Sequence, residues 1–222
     1  MNLNKTENTF ILGFFLAATG LFAALLLAYF AKITAEPIAR ATAENANKSL
    51  ELVMPPFKSK KTTTFDGIIF FAVYNEKGEL SGIAGELAGK GYGGNIVTLT
   101  GMNPDGSIRT VLILDSNETP GLGSNVCIRK EHKSITSIFS SKKNSNTIPT
   151  NRILDYYNGK TVHQNSDPWK IIKDGGSCEY LTGATISSRA VCNTVYKIVS
   201  VYTKNREKIL AQMKSSDNKE VE

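Results

Sequence analysis

The longest uncharged stretch of this sequence lies close to its amino terminus. From Phe10 to Ala31 no charged residue occurs, and nearly every side chain is apolar. About 20 such residues suffice to cross the hydrocarbon core of a bilayer as a helix, whereas a cleaved signal peptide has an apolar region of about 7–15 residues. The stretch therefore predicts an uncleaved, single-pass transmembrane anchor, although small residues at Ala28–Ala31 leave cleavage open as an alternative.

Charges beside the anchor give little information about its orientation. Lys5 lies on one side of it and Lys32 and Arg40 on the other, so the excess of positive charge that marks a cytoplasmic side is weak. A large strand-rich region after an amino-terminal anchor favours an exported domain.

The net charge of +6 suits an anionic membrane surface. Because no basic helix or patch interleaved with aromatic residues accompanies that charge, we predict no nucleic-acid partner.

The 222 residues suffice for an anchor and one ordinary domain. Alanine and glutamate between about Glu36 and Val53 favour a helix that the following prolines end. The lysine-rich segment that comes next is interpreted as a solvated linker. The predicted organisation is a tail at 1–9, an anchor at 10–31, a helical linker at 32–64, a domain at 65–212 and a charged tail at 213–222.

Four extended segments alternate with turn sequences in the first part of the domain. They are GIIFFAVY (67–74), ELSGIAGEL (79–87), NIVTLTGM (95–102) and SIRTVLILD (107–115). NPDG between the last two is typical of a hairpin turn. The last segment has apolar residues on both faces, which predicts a central strand.

The carboxyl-terminal part combines polar loops with one long helix. Apolar residues recur at helical spacing between Thr185 and Ile209, which predicts a helix that packs on the sheet. The polar segment Lys130–Asn151 is predicted to contain a surface helix and a loop, and WKIIKDGG (169–176) a short strand. The predicted fold class is α+β, a twisted antiparallel sheet with packed helices, preceded by one transmembrane helix.

The cysteine pattern argues against a metal centre. Cys127, Cys178 and Cys192 form no CxxC pair, and the two histidines have no partner at metal-ligand spacing. One disulfide with a free thiol, or three reduced thiols, are both compatible with the sequence.

Several hydroxyl groups cluster where the long helix is predicted to begin. They belong to Thr182, Thr185, Ser187 and Ser188. Gly183 and Ala184 are small enough to let the backbone approach a ligand, and a helix amino terminus is a favourable site for a phosphate. The segment therefore predicts a phosphate-binding turn, with an ordinary helix cap as the alternative.

Two glycine loops accompany this turn. ETPGLG (118–123) directly follows a predicted strand and presents Glu118 and Thr119 at its mouth, although a plain surface turn is an alternative. GKGYGG (89–94) precedes a strand rather than a helix, so it lacks the setting of a dinucleotide-binding loop.

The pair ETPGLG and TGAT-ISSRAV, with GYGGNI upstream and an amino-terminal membrane helix, resembles the FMN-binding domain family over nearly the whole chain. Within that family the chain is similar to the G subunits of Rnf-type complexes. The resemblance implies an electron-transfer subunit of a redox-driven, ion-translocating ferredoxin:NAD oxidoreductase. Its partners would be the other membrane subunits, and its domain would lie on the extracytoplasmic side of the cell (inner) membrane.

The resemblance also implies where FMN is held. It implies a phosphoester between FMN and the Thr185 hydroxyl, made by a separate flavin transferase. The motif that surrounds this threonine consists of Thr182, Gly183 and Ala184. Further hydrogen bonds to the phosphate would come from Ser187 and Ser188. It places Glu118, Thr119, Leu122 and Gly123 along the flavin pocket. The chain has Glu179 where the family has an aspartate. No catalytic acid–base pair and no metal are implied.

Two other functions stay open from the sequence. One is the related C subunit of the sodium-pumping NADH:quinone reductase, which shares both motifs. The other is an exported domain without redox chemistry, in which the TGAT turn is only a helix cap.

Overall fold

The computed structural model describes residues 4–129, 148–163 and 168–215. Most of the segment Lys130–Asn151, where we predicted a surface helix, and most of the tail at 213–222 lie outside these residues. Two compact units are present, Met1–Asn47 and Lys48–Glu222.

The first unit consists of the greater part of one long helix, α1, which runs from Asn4 to Val53. Its segment Phe10–Pro37 is long and apolar enough to cross a membrane, and none of its most apolar window is buried against protein. Anchor and linker helix, which we predicted as separate elements, are thus continuous. Pro37 lies inside the helix, where it removes one backbone hydrogen bond and is tolerated at a local cost.

The second unit is built on a five-stranded antiparallel sheet in the order β1-β2-β3-β4-β5. The strands are β1 (Ser59–Phe65), β2 (Ile68–Tyr74), β3 (Leu80–Lys90), β4 (Asn95–Met102) and β5 (Ile108–Ser116). Each strand pairs with the next one along the chain, so every connection is a hairpin. The NPDG turn joins β4 to β5 with Gly106 at a φ of +89°, a conformation that favours glycine.

The sheet begins earlier than the sequence predicted. Ser59–Phe65, which we interpreted as part of a solvated linker, is an edge strand paired with β2. Its side chains are exposed or half-buried, which explains why no apolar alternation marks it. Lys60 and Lys61 lie on this strand, and charged residues on an edge strand oppose pairing with other chains.

The prediction that β5 is a central strand is wrong, because β5 forms the other edge of the sheet. Both of its faces are apolar because both are covered: Val111 and Ile113 belong to the main core, whereas Leu112 and Leu114 pack in a second cluster. The guanidinium of Arg129 donates to the Val111 carbonyl at 2.9 Å and so occupies part of the exposed edge.

Two apolar clusters cover the two faces of the sheet. On β2, Phe70 and Ala72 belong to the main core and Val73 to the second cluster. The main core is completed by the long helix α4, Thr185–Ser215, and the second cluster by Leu50 and Val53 at the end of α1. This architecture confirms the predicted α+β class with an antiparallel sheet.

Among the described residues between β5 and α4 lie three short helical segments: α2 (Ser124–Cys127), α3 (Arg152–Asp155) and a 3₁₀ turn (Ile172–Asp174). The strand predicted at WKIIKDGG is reduced to a single bridge between Ile171 and Cys178 that leads into this 3₁₀ turn. All three cysteines lie among the described residues, and each is a buried free thiol.

Candidate functional site

An open cavity of about 520 Å³ lies where three loops meet. At the same end of the sheet, Lys90 of β3 pairs with Asn95 of β4, and Ile96 pairs with Ser116 of β5. This register brings the β3–β4 turn beside the loop that follows β5, and the start of α4 closes the third side. The lining residues are Tyr92, Glu118, Thr119, Leu122, Gly123, Lys173, Gly183, Thr185, Ile186 and Ser187.

Thr185 is the first residue of α4, and its half-buried side chain lines the cavity. The turn before it is closed by a hydrogen bond from the Ala184 amide to the Leu181 carbonyl at 3.0 Å. Gly183 adopts a φ of +88° in this turn, which disfavours a residue with a side chain. The first turn of a helix leaves backbone N–H groups without intrahelical acceptors and carries a partial positive charge. An anion beside Thr185 would therefore be stabilised.

The two serines of the motif have different positions. Ser187 lines the cavity and donates to Glu118 Oε2 at 2.7 Å. Ser188 is buried, donates to the Ala184 carbonyl at 2.9 Å and accepts from the Leu181 amide at 3.1 Å. The Ser188 hydroxyl therefore fastens the turn and does not face the cavity.

Thr182 and Ala184 are not among the lining residues either. Thr182 is exposed and Ala184 is buried. Of the six predicted residues in the TGAT motif and the following serines, the structure brings Gly183, Thr185 and Ser187 to the cavity. All four residues predicted from the ETPGLG loop reach it: Glu118, Thr119, Leu122 and Gly123.

Glu118 is a buried carboxylate at the junction of the loops. Its Oε1 accepts from the backbone amides of Tyr92 at 2.8 Å and Gly93 at 3.2 Å. Its Oε2 accepts the hydrogen bond from Ser187. One side chain thus joins the β3–β4 turn, the loop after β5 and the first turn of α4.

The rim of the cavity exposes apolar surface. Tyr92 is 73% exposed, Leu122 50% and Ile186 46%, although large apolar side chains are generally covered in folded domains. Exposed apolar groups that surround a concave site are typical of a ligand-binding surface.

Lys173 is a site residue that the sequence did not indicate. It lies in the 3₁₀ turn and lines the cavity. The neighbouring Asp174 receives two hydrogen bonds from the Arg189 guanidinium of α4, at 2.7 and 2.9 Å, and these lower the pKa of that carboxyl below its ordinary value. The ion pair joins the 3₁₀ turn to α4, and Lys173 and Thr185 line the same cavity.

Glu179, the residue at the position where we expected an aspartate from the resemblance, lies outside the cavity lining. It forms an ion pair with Arg152 at 2.9 Å. Within the described residues, no group of three or more histidine, cysteine, aspartate or glutamate side chains is placed to hold a metal ion.

A model of the FMN-binding domain matches residues 91–200. This part of the chain belongs to the FMN-binding domain family. The matched segment starts in the β3–β4 turn and ends within α4, so it contains every residue that lines the cavity.

Several curated relatives of this chain are described as the G subunit of an ion-translocating oxidoreductase complex. The relative from Cereibacter sphaeroides is 29% identical over 214 residues, which cover 90% of this chain and 87% of the relative. The relative from Aliivibrio fischeri is 37% identical over 144 residues, which cover 64% of this chain and 58% of the relative. Among solved structures, the crystal structure of Shewanella oneidensis NqrC is similar with a TM-score of 0.43 and 18% identity, over 74% of this chain and 73% of that one.

The cavity has features that suit FMN. Its volume of about 520 Å³ lies in the range of small-molecule sites, about 300–1,000 Å³. Leu122 and Ile186 offer apolar surface to a planar ring, and the start of α4 offers a seat for a phosphate. Gly183 keeps the approach to Thr185 open, because a side chain there would project toward Leu122.

Proposed function

We propose that this chain is a membrane-anchored electron-transfer subunit that carries FMN in phosphoester linkage to Thr185. We further propose that it belongs to a redox-driven, ion-translocating ferredoxin:NAD oxidoreductase complex. One observation carries the proposal: the hydroxyl-bearing residue that begins α4 lines the same cavity as the exposed apolar side chains of Leu122 and Ile186. The relatives described as G subunits support the assignment to a complex.

The residues around Thr185 suit an esterified phosphate. The Thr185 hydroxyl supplies the ester oxygen, and the missing side chain at Gly183 leaves room for the phosphate and for the flavin transferase that we expect to make the bond. The first turn of α4 stabilises the remaining negative charge. Lys173, which lines the same cavity, supplies a positive charge to it.

The ring system would rest on the apolar part of the site. Bound FMN would accept and release the electrons, and the protein would fix the position of the flavin and the charge around it. Leu122 and Ile186 would contact the ring, and Tyr92 would cover it from the β3–β4 turn. Residual exposure of the ring at the open side would give partner subunits access for electron transfer.

The helix Phe10–Pro37 would hold the domain beside the other membrane subunits at high effective concentration. Because no ionisable side chain of Asp, Glu, Lys, Arg or His lies between Phe10 and Ala31, the path of the translocated ion would belong to those subunits. We propose that the soluble domain lies on the extracytoplasmic side of the cell membrane. Purification of the tagged chain in mild detergent tests the assignment, since the remaining subunits of the complex should co-purify with it.

Fluorescence of the chain on a denaturing gel tests the covalent bond. The wild-type band, from cells that contain the transferase, should fluoresce under ultraviolet light because the flavin survives denaturation. Thr185→Ala should abolish this fluorescence, and Thr185→Ser should retain part of it because a hydroxyl remains. Thr161→Ala, at an exposed threonine outside the motif, is the control, and its band should stay fluorescent. A Thr185→Ala band as bright as the wild-type band would contradict the proposal.

A further inference from the structure

The carboxylate of Glu118 accepts hydrogen bonds from within the protein. Both oxygens accept hydrogen bonds from other parts of the chain: Oε1 from the amides of Tyr92 and Gly93, and Oε2 from the Ser187 hydroxyl. We propose that Glu118 is a positioning residue that assembles the cavity before FMN arrives, and that it does not bind FMN itself. This inference rests on the proposed function of the cavity.

The hydrogen bonds join segments that are far apart in sequence. Glu118 lies 26 residues from Tyr92 and 69 residues from Ser187. Its side chain is buried, so water does not readily replace the contacts that it makes. The carboxylate also lies beside the first turn of α4, where negative charge is favourable.

Two glycines beside Glu118 leave the space that this carboxylate fills. A Cβ at Gly91 would lie 2.0 Å from Oε1, and a Cβ at Gly123 would lie 2.2 Å from Oε2. Neither glycine has a positive φ, so backbone conformation does not explain them. At both positions the Glu118 carboxylate is the nearest group that an added side chain would meet, ahead of Ile96 at Gly91 and of Ser187 at Gly123.

The contact with Ser187 extends this effect to the flavin acceptor. Ser187 follows Thr185 by two residues in the first turn of α4. A fixed Ser187 restricts the orientation of that turn relative to the loop after β5. Loss of the carboxylate would therefore displace Thr185 relative to Leu122, which lines the same cavity.

Glutamine and alanine at this position separate geometry from charge. In Glu118→Gln, the amide oxygen can accept from the Tyr92 and Gly93 amides, and the amide NH₂ can donate to Ser187, whose hydroxyl rotates. Glu118→Ala leaves two backbone N–H groups and one hydroxyl without their partner, which is costly for buried groups. A positioning role therefore predicts rescue by glutamine, whereas direct binding through charge predicts that glutamine fails.

The experiment uses the full chain, expressed with the transferase and purified in detergent. Flavin per chain is measured from gel fluorescence, and the surroundings of bound flavin from visible circular dichroism. We expect Glu118→Gln to stay within about twofold of wild type and Glu118→Ala to lose at least about tenfold. The proposal is overturned if glutamine loses as much as alanine, or if alanine equals wild type.

A second pair of variants decides the question if Glu118→Ala does not fold. Gly123→Ala pushes against the carboxylate, whereas Gly94→Ala is a matched control whose Cβ would meet only the Asn117 side chain, at 3.3 Å. We expect Gly123→Ala to reduce flavin loading and to alter the visible circular dichroism, and Gly94→Ala to leave both near wild type. Equal behaviour of the two glycine variants would overturn the proposal.

Thermal melting without flavin completes the test. In chains made by cells that lack the transferase, Glu118→Gln should melt close to the wild-type temperature, and Gly123→Ala should melt at a lower temperature. A wild-type chain that never becomes fluorescent would remove the proposed function. A fluorescent wild type with an equally fluorescent and equally stable Gly123→Ala would remove only the role of Glu118.

Discussion

Glu86 is a half-buried carboxyl on β3, opposite Ile69 of β2 and Leu99 of β4. Burial raises its pKa above the ordinary value of 4.5, because the charged form loses hydration. The folded state therefore binds this proton more tightly than the unfolded state. The resulting contribution to stability is fully present below about pH 4.5 and is lost as pH rises through the folded pKa.

Replacement of Glu86 by glutamine should make the domain more stable at pH 7, since no charge is then desolvated. We expect a rise in melting temperature of the order of 1–2 °C at pH 7 that disappears near pH 4. Glu76→Gln, at an exposed turn position, is the control and should change little. Melting curves at both pH values check this; a Glu86→Gln variant that is less stable at pH 7 would contradict it.

At the scale of single residues, the sequence indicated which side chains belong to the candidate site, but it did not indicate the direction in which each side chain points. Thr185 and four residues of ETPGLG line one cavity, and the sequence could indicate them because a helix start and a loop after a strand are local features. Ser187 and Ser188 have the same chemistry, and only the phase of the first helical turn distinguishes the one at the cavity from the one inside the turn. Lys173 lines the cavity from the 3₁₀ turn, and the ion pair that joins this turn to α4, between Asp174 and Arg189, is a tertiary contact that no local pattern contains.

Between elements, glycines of β3 determine how closely α4 packs on the sheet. A Cβ at Gly85 would lie 2.3 Å from Ile198 Cγ2, and one at Gly89 would lie 2.2 Å from Thr194 Oγ1. Because interiors are close-packed, an added methyl group must displace the helix or strain a side chain. Glycine on β3 is therefore a packing requirement of the helix–sheet interface.

Gly85→Ala should reduce the free energy of unfolding by about 1–3 kcal/mol, as expected for overpacking. Ile198→Ala removes the methyl group that the new side chain would meet, at the cost of a cavity. The double variant should then lose less stability than the sum of the two single variants. Denaturant unfolding of wild type and the three variants gives this coupling, and strict additivity would show that the two positions do not contact each other.

Helices and strands could be predicted where the spacing of apolar residues along the chain reflects which side chains are buried. The four apolar strands and the long helix follow from alternating or helical spacing. β1 was missed because its side chains are largely solvated. The predicted central position of β5 was wrong. Apolar residues on both faces of a strand indicate that both faces are covered, but they do not indicate whether a neighbouring strand pairs with each of its two edges.

At the scale of the whole molecule, the unit Lys48–Glu222 contains its own cores. A chain that begins at Lys48 should be soluble and folded, whereas the full chain should sediment with membranes. A chain that begins at Pro55 lacks Leu50, Val53 and Met54 of the second cluster and should be less stable by about 2–5 kcal/mol. Fractionation and denaturant unfolding test this; equal stability of the two truncated chains would contradict it.

The most direct test of the account is mass spectrometry of the peptide that contains Thr185, from mature protein made in cells with the flavin transferase. The account predicts that this peptide carries FMN less one water, and that fragmentation assigns the added mass to the Thr185 side chain. A peptide that is unmodified throughout, or FMN attached to another residue, would contradict it.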